Sequence, residues 1–475
     1  MGHIRSEIST MNTLWRVLAF YFSFIFILSG AASAPAQNIA ELPKFQKEDR
    51  VLVLAPHPDD ETIGCAGVIM HALKSGAKVK VVYLTNGDNN VFSILLSNPL
   101  LIPLRLLLLT EGDFVNLGKR RQQEATKAMG ILGVREEDLV FLGYPDHGTD
   151  QMFVYNWDNN KPFKSMFSKQ TSVPYGESKS YKKEFKGNNI LGDLKKVALD
   201  YKPNKIFVSH PADANGDHWA LYLYLQILLA DLSDEMPEPQ VFPYLVHVTH
   251  WPLPHHYHPE LRMEPPPQTF FDDLAPSVKW KQVQLTPEEV EKKHQAMLAY
   301  NSQTRISAFY LLSFVRQNEL FSDLPLLTVK KQTALKTPRK PGRDYAFTSD
   351  TQWVGFAVVD DYLLIKVNRP KELKIGPAYL LFLATYKSGV GFGQTPNIAI
   401  TTRYDKFKIY DTLGAKRPLD PKGASAELNP DSLVMKVPLS LLKDLDGFLF
   451  SFDSTGRIVV PTGCTAFRKV LIDKQ

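Results

Sequence analysis

The sequence predicts an α/β protein: a Rossmann-like, mostly parallel sheet with flanking helices, followed by a C-terminal β-sandwich-like domain. Three observations carry that expectation. Short apolar runs at Val51–Leu54, Lys78–Thr85, Leu139–Leu142, Lys205–Ser209 and Val241–Val248 alternate with stretches of helical spacing, the pattern of βαβ units. Several of the runs stop in polar turns, the place where open α/β sheets bind ligands. Past a Lys- and Pro-rich linker at 328–343 the pattern changes to short strands punctuated by Gly, Pro and Asp, which suits a sandwich. The chain divides accordingly into 1–36, 40–327, the linker and 344–475, and its 475 residues are enough for two domains or more.

Taken in order, the first 36 residues stand apart. Arg5 and Arg16 precede the apolar run Val17–Leu28, and small residues follow at Ser29–Ala34. That is the layout of a secretory signal peptide, and the run is short for a bilayer span of about 20 residues. Export to a periplasmic or extracellular location is therefore expected over a membrane anchor. Two cysteines, Cys65 and Cys464, are too few for a disulfide framework. The net charge of +5 is spread out, apart from a cluster at Lys336–Arg343, so no nucleic-acid footprint is expected.

The stretch Val51–Gly67, VLVLAPHPDDETIGCAG, organises the rest. Its apolar opening reads as a strand buried on both faces. The turn His57-Pro58-Asp59-Asp60-Glu61 follows, then Gly64, Ala66 and Gly67 lead into a helix through Val68, Ile69 and Leu73. One imidazole and three carboxylates within five residues raise one another's proton affinity, and a divalent cation relieves that. His plus Asp suits zinc, with one further His needed for a three-ligand catalytic site. A helix N-terminus favours acidic residues too; that accounts for Asp60 and Glu61 but not for His57-Pro58-Asp59.

Ala55-Pro56-His57-Pro58-Asp59-Asp60-Glu61 resembles the A-H-P-D-D-E signature of the PIG-L/LmbE family of zinc-dependent N-deacetylases, with a Pro inserted between Ala and His. The resemblance runs from about Arg50 to Phe321. Next in the chain, Val91–Leu109 is apolar but broken by Asn98, Pro99, Pro103 and Arg105. It reads as a packed insertion, as a lid, or as a surface for peripheral membrane or lipid-linked substrate contact. Arg120–Leu132 is helical and Gly133 ends it; Leu139–Leu142 then leads into the polar turn Gly143–Gly148. The irregular stretch 156–189 is expected to wall the cleft. A helix at Ile190–Leu199, the Lys205–Ser209 strand, the turn His210–His218 and a helix at Trp219–Leu229 come next. Thr286-Pro287-Glu288-Glu289 is a capped helix start; that helix runs to Tyr300, and a last one at Ile306–Leu320 closes the unit. The segment Lys293–Gln303 resembles the family's K-x-x-A…SQ segment.

Carried over position by position, the resemblance implies that His57, Asp60 and His218 bind Zn2+ and that Asp59 is the general base. It implies hydrolysis of the N-acetyl group of an N-acetylated amino sugar in a glycan or glycoconjugate. Glu61 and Asp217 are expected to support these residues from behind. Arg121, in an R-x-x-E helix with Glu124, and Asp146, in an L-G-x-x-D turn, are candidates for gripping sugar hydroxyls; a structural salt bridge or cap is the alternative for each. One departure stands out: where many members carry a histidine three residues before the last ligand, this chain has Asn215. Asn215 donates a hydrogen bond without full positive charge, so His147 or His210 is expected to supplement it at the oxyanion. Two rival functions remain open at this point, a non-catalytic glycan-binding protein and a zinc amidase acting on a non-sugar amide. A binder has no need of Asp59.

Overall fold

The computed structural model describes residues 39–95, 109–158, 161–248, 251–266, 278–323 and 327–329. C-terminal to these it describes 346–348, 351–368, 378–403, 406–412, 417–418, 423–429, 432–442, 445–455 and 468–472. The expected signal peptide, most of the linker and most of the apolar insertion lie outside the described residues.

The first half builds an eight-stranded sheet. Its strands are β1 (Ala40–Glu41), β2 (Arg50–Ala55), β3 (Lys78–Thr85), β4 (Leu139–Tyr144), β5 (Lys205–Ser209), β6 (Gln240–Tyr244), β7 (Lys279–Gln284) and β8 (Asn318–Asp323), in the order β1-β7-β8-β6-β5-β2-β3-β4. From β4 through β6 every pairing is parallel. The order runs outward in both directions from β2 and β5, so the switch point lies between these two strands, where such sheets leave a crevice.

The run Val51–Ala55 is buried throughout because both faces are covered. Val51, Val53 and Ala55 pack into one apolar cluster with helices α1 (Asp60–Lys74), α3 (Glu111–Leu132) and α7 (Pro287–Ala299); the five-residue α2 (Val91–Leu95) precedes α3. Leu52 and Leu54 pack into a second cluster with α4 (Thr149–Val154), α5 (Gly187–Tyr201) and α6 (Gly216–Asp231). The period of two along one strand thus splits the core into two layers. Helix α7 starts as its sequence dictates, with Pro287 at the first position and a reciprocal capping box between Thr286 and Glu289.

The close is different from the expected helix over Ile306–Leu320. Helix α8 (Asn301–Leu311) ends in a single 3₁₀ turn at Leu312–Phe314, and Asn318–Asp323 is strand β8. That strand inserts antiparallel between β6 and β7. Tertiary pairing overrides local helical spacing here, because Leu320 and Phe321 complete the core of the sheet.

The C-terminal half forms two sheets. One has five strands, β10 (Ala346–Thr348), β11 (Thr351–Val359), β12 (Tyr362–Asn368), β18 (Ser432–Pro438) and β17 (Ser425–Leu428), in that order. The other has seven: β16 (Arg417–Pro418), β15 (Lys406–Asp411), β14 (Asn397–Arg403), β13 (Ala378–Tyr386), β19 (Gly447–Thr455), β20 (Arg468–Ile472) and β9 (Leu327–Val329). Their facing residues share one core, in which Phe356 of β11 meets Phe448 and Phe450 of β19 with ring centroids 5.4 and 4.6 Å apart.

The seven-stranded sheet is buried on its other face as well. Leu381 and Leu383 of β13 face the sandwich core, whereas Phe382, Ala384 and Tyr386 join Leu449 against the α4–α6 layer. Phe392, in the β13–β14 connection, sits 4.6 Å from the Trp157 ring and 5.3 Å from Phe153. Helix α6 is apolar almost all round for this reason: it lies between two sheets. Among the described residues no helix is long and apolar enough to cross a membrane.

Candidate functional site

The site forms at the carboxyl ends of β2, β4 and β5. After β2 the chain turns through His57-Pro58-Asp59 and enters α1 at Asp60. Asp59 takes φ 128°, a left-handed conformation that costs a non-glycine residue about 1–3 kcal/mol. The surroundings hold it there. Its N–H donates to Glu61 Oε2 at 3.1 Å, and its carbonyl accepts the N–H groups of Thr62 and Ile63 at 3.1 and 2.9 Å. Glu61 is itself fixed, its Oε1 accepting from Thr62 Oγ1 at 2.7 Å and from the Tyr300 hydroxyl. The small residues after the turn are sterically required, since a Cβ on Gly64 would lie 2.4 Å from the Tyr244 ring and one on Gly67 2.9 Å from Leu285.

Three ligand atoms converge at this turn. Asp60 Oδ2 lies 3.1 Å from both His57 Nδ1 and His218 Nε2, and the two nitrogens are 3.3 Å apart. Donors about 2.0–2.1 Å from a tetrahedral ion stand about 3.3 Å from one another, so the trio has the spacing of three ligands with a fourth position left. His218, in the first turn of α6, and His57 come from opposite sides of the switch point. All three side chains are buried.

The outer edges of both rings are held by carboxylates, which orients the inner nitrogens. His57 Nε2 lies 3.2 Å from Asp217 Oδ2 and 3.2 Å from Asp146 Oδ1. His218 Nδ1 lies 3.1 Å from Asp213 Oδ2, at ion-pair distance without hydrogen-bond alignment. Asp217 is fully buried and ties the ring to the β4 turn, accepting the N–H groups of His147, Gly148 and Thr149 at 2.6, 3.3 and 3.0 Å and Thr149 Oγ1 at 2.5 Å.

The electrostatics of this cluster call for a cation. Burial works against charge on His218, yet Asp213 and Asp60 push its pKa up to about 9. Burial opposes charge on His57 too, and Asp146 and Asp217 raise it well above the imidazole range. Burial likewise resists ionisation of Asp60, but His218 and His57 hold it well below the usual carboxylate range. Asp59 goes the other way: burial pushes it up to about 8, with Arg121 opposing and Asp60 adding. Rings that cling to protons between so many carboxylates mark a site short of positive charge, which a divalent ion supplies.

The remaining residues singled out in the sequence fall around this centre. Arg121, on α3, is buried and spends its guanidinium on the ligand turn: Nη2 donates to Pro58 O at 2.7 Å and to Asp59 Oδ2 at 3.1 Å, Nη1 to Gly87 O at 3.0 Å. Glu124, one turn on, accepts from Ser302 N and Oγ at 2.9 and 2.6 Å. Asp146 is buried, accepts the Asn89 N–H at 3.1 Å and faces His57. His147 is half exposed, its Nε2 3.7 Å from Asp146. Asn215 caps α6, its Oδ1 accepting the Asp217 N–H at 2.9 Å. His210 is buried, Nδ1 accepting the Ala212 N–H at 2.9 Å, with its ring parallel to Trp280.

Two residues to which the sequence pattern assigned no role also stand here. Asp213, in the turn after β5, accepts the N–H groups of Val246 and His247 at 3.1 and 2.9 Å. His247, beyond β6, places Nδ1 3.1 Å from Asp213 Oδ1, and its ring stands perpendicular to that of His218 with centroids 4.4 Å apart. The signal was position: both follow the carboxyl end of a central strand.

Farther back, a buried ion pair grips α1 from behind the site. Lys293 Nζ on α7 donates to Ile63 O and Glu319 Oε1, both at 2.8 Å. Glu319 on β8 accepts the N–H groups of Gly67 and Val68 at 2.9 and 3.3 Å.

Residues 52–227 match the family model PIG-L: GlcNAc-PI de-N-acetylase. It is similar to 1D-myo-inositol 2-acetamido-2-deoxy-alpha-D-glucopyranoside deacetylase of Mycobacterium sp. (strain KMS), with 35% identity over 101 residues, 21% of this chain and 29% of that protein. The protein of the same name from Kribbella flavida is 32% identical over 122 residues, 26% of this chain and 35% of that one. The chain thus spans about a third of the length of these curated relatives. Among solved structures, N,N'-diacetylchitobiose deacetylase from Pyrococcus horikoshii aligns over 57% of this chain and 82% of that chain, at 18% identity and a TM-score of 0.31.

Proposed function

We propose that this PIG-L domain is a zinc-dependent N-deacetylase that removes the acetyl group from an N-acetylated amino sugar. One observation carries the reading: three ligand atoms within 3.3 Å of one another stand beside a buried carboxylate, Asp59, that is not among them. The PIG-L match and relatives named for deacetylation of a 2-acetamido sugar support the substrate class. His57, Asp60 and His218 would hold the ion. A zinc ion there supplies Lewis acidity, bringing the pKa of a water to about 7 and polarising a carbonyl.

The chain's own residues do the rest. Asp217 and Asp146 take the outer edge of His57 and Asp213 that of His218, so the inner lone pairs face the trio. Asp59, with its raised proton affinity, takes a proton from the attacking water as the water oxygen bonds to the acetyl carbonyl carbon. The C–N bond then breaks, its electron pair stays on nitrogen, and the proton held by Asp59 goes to that nitrogen. The products are acetate and the free amine. Arg121 holds the Asp59 carboxylate in place through Oδ2.

The test is acetate release from a panel of N-acetylated sugars by the full chain, after chelation and after zinc is restored. Release that follows zinc supports the reading; no release from any member of the panel overturns it.

A further inference from the structure

We propose that His247 is a further catalytic residue of the deacetylase reading above, on which this inference rests: its Nε2 accepts the N–H of the scissile amide and holds the nitrogen that leaves. The ring is pinned from one side. Asp213 takes both its Nδ1, at 3.1 Å, and its backbone N–H, at 2.9 Å. A neutral imidazole that gives Nδ1–H to a carboxylate presents Nε2 as an acceptor.

The Asp213 side chain is fully buried, whereas that of His247 is 25% exposed. The ring is thus held at Nδ1 while part of the side chain stays open to solvent. The ring neighbours the metal trio: its centroid is 4.4 Å from that of His218, whose Nε2 is one of the three ligand atoms.

The other polar groups near His218 are differently placed. Asn215 has committed its Oδ1 to capping α6. The His210 Nδ1 accepts the Ala212 N–H, and the His147 Nε2 stands 3.7 Å from Asp146, an ion-pair distance beyond hydrogen-bond reach. His247 combines a held Nδ1 with a part-exposed ring beside His218, as a group serving a reacting atom requires. No bond forms to His247. The hydrolysis adds water across the C–N bond as before, and the imidazole aligns the amide through its N–H.

The experiment compares an N-acetylated sugar with the analogue in which an acetyl ester replaces the amide at the same carbon, so that the N–H is gone. In zinc-loaded His247→Ala, kcat/KM for the amide is expected to fall about 10-fold to 100-fold, the worth of one such hydrogen bond in the transition state. The ester should change by no more than about threefold in kcat/KM, a shift of well under 1 kcal/mol. His247→Gln, which fills more of the volume, should show the same selective loss, and zinc content should stay at that of the wild type. Equal losses on amide and ester, or loss of the metal with the ring, overturn the assignment in favour of a structural role. A wild-type protein that cleaves neither substrate overturns the deacetylase reading and this one with it, and the wild-type sample alone separates the two failures.

Discussion

The Lys293–Glu319 pair offers a quantitative test of what fixes the position of α1. Both side chains are buried, and between them they bind Ile63 O and the Gly67 N–H. Those two backbone groups are four residues apart, so they are each other's natural partners in a helix. Removing Lys293 alone leaves a buried Glu319 carboxylate without its counter-charge, which costs about 3–5 kcal/mol. Removing Glu319 alone strands the ammonium group at a similar cost of about 3–5 kcal/mol. Replacing both with methionine leaves no buried charge, and Ile63 O and Gly67 N–H still have one another. The double substitution is then expected to be close to neutral, as apolar replacements of buried pairs often are. By thermal unfolding of the zinc-loaded chain, Lys293→Met and Glu319→Met should each lower the midpoint by about 6–20 °C, at about 2–4 °C per kcal/mol. Lys293→Met/Glu319→Met should recover most of that. Additive losses in the double variant, or single variants within about 1 kcal/mol of the wild type, would refute the reasoning, because surface-like pairs behave that way.

Three further outcomes follow from the site and its surroundings. Asp59→Asn should retain zinc, measured by metal analysis, and lose most turnover, whereas His218→Ala should lose the metal while far-UV circular dichroism stays native; Asn is the proper probe at 59 because it tolerates the left-handed backbone better than Ala. A chain ending after Asp323 should be insoluble on expression, since it would bare Phe153, Trp157 and Tyr224 where Phe382, Tyr386, Phe392 and Leu449 now cover them. Burial, with Asp146 adding, pushes Asp88 up to about 7. A raised folded-state pKa favours folding at low pH, so this contribution is present below about pH 4 and is lost as pH rises through about 7. Asp88→Asn should flatten that part of the stability curve; an unchanged slope between pH 4 and 7 in denaturation experiments would count against it.

The sheet was legible because its central strands are continuous apolar runs, and β3 and β5 fall on their expected residues, Lys78–Thr85 and Lys205–Ser209. The grouping of His57, Asp60 and His218 was legible from the resemblance of one short turn and the need for a further imidazole. What sequence hides is partnership across distance. Arg121 reads the same whether it grips a sugar or, as here, the backbone of the ligand turn. Ile306–Leu320 reads as one helix, but β6 and β7 take Asn318–Asp323 as a strand. Nor does the linker composition tell that β13, whose alternate residues face two different cores, seats the sandwich on the α4–α6 layer. Asp213 and His247 lie 34 residues apart and meet only once β5 and β6 pair.

Strand β8 also sets a schedule. It pairs with β6 and β7, both earlier in the chain, and its Glu319 accepts from Gly67 N–H, 252 residues upstream. In a chain growing from its N-terminus, His57, Asp60 and His218 all exist well before Lys293 or Glu319 does. A loop of that length closes slowly, and a sheet with a late central insertion cannot finish early. The grip on α1 therefore needs a residue synthesised after the other seven strands of its sheet. An ion captured by a nascent chain would meet His57 and Asp60 at the start of α1, and His218 on α6, before the Lys293–Glu319 grip on α1 exists.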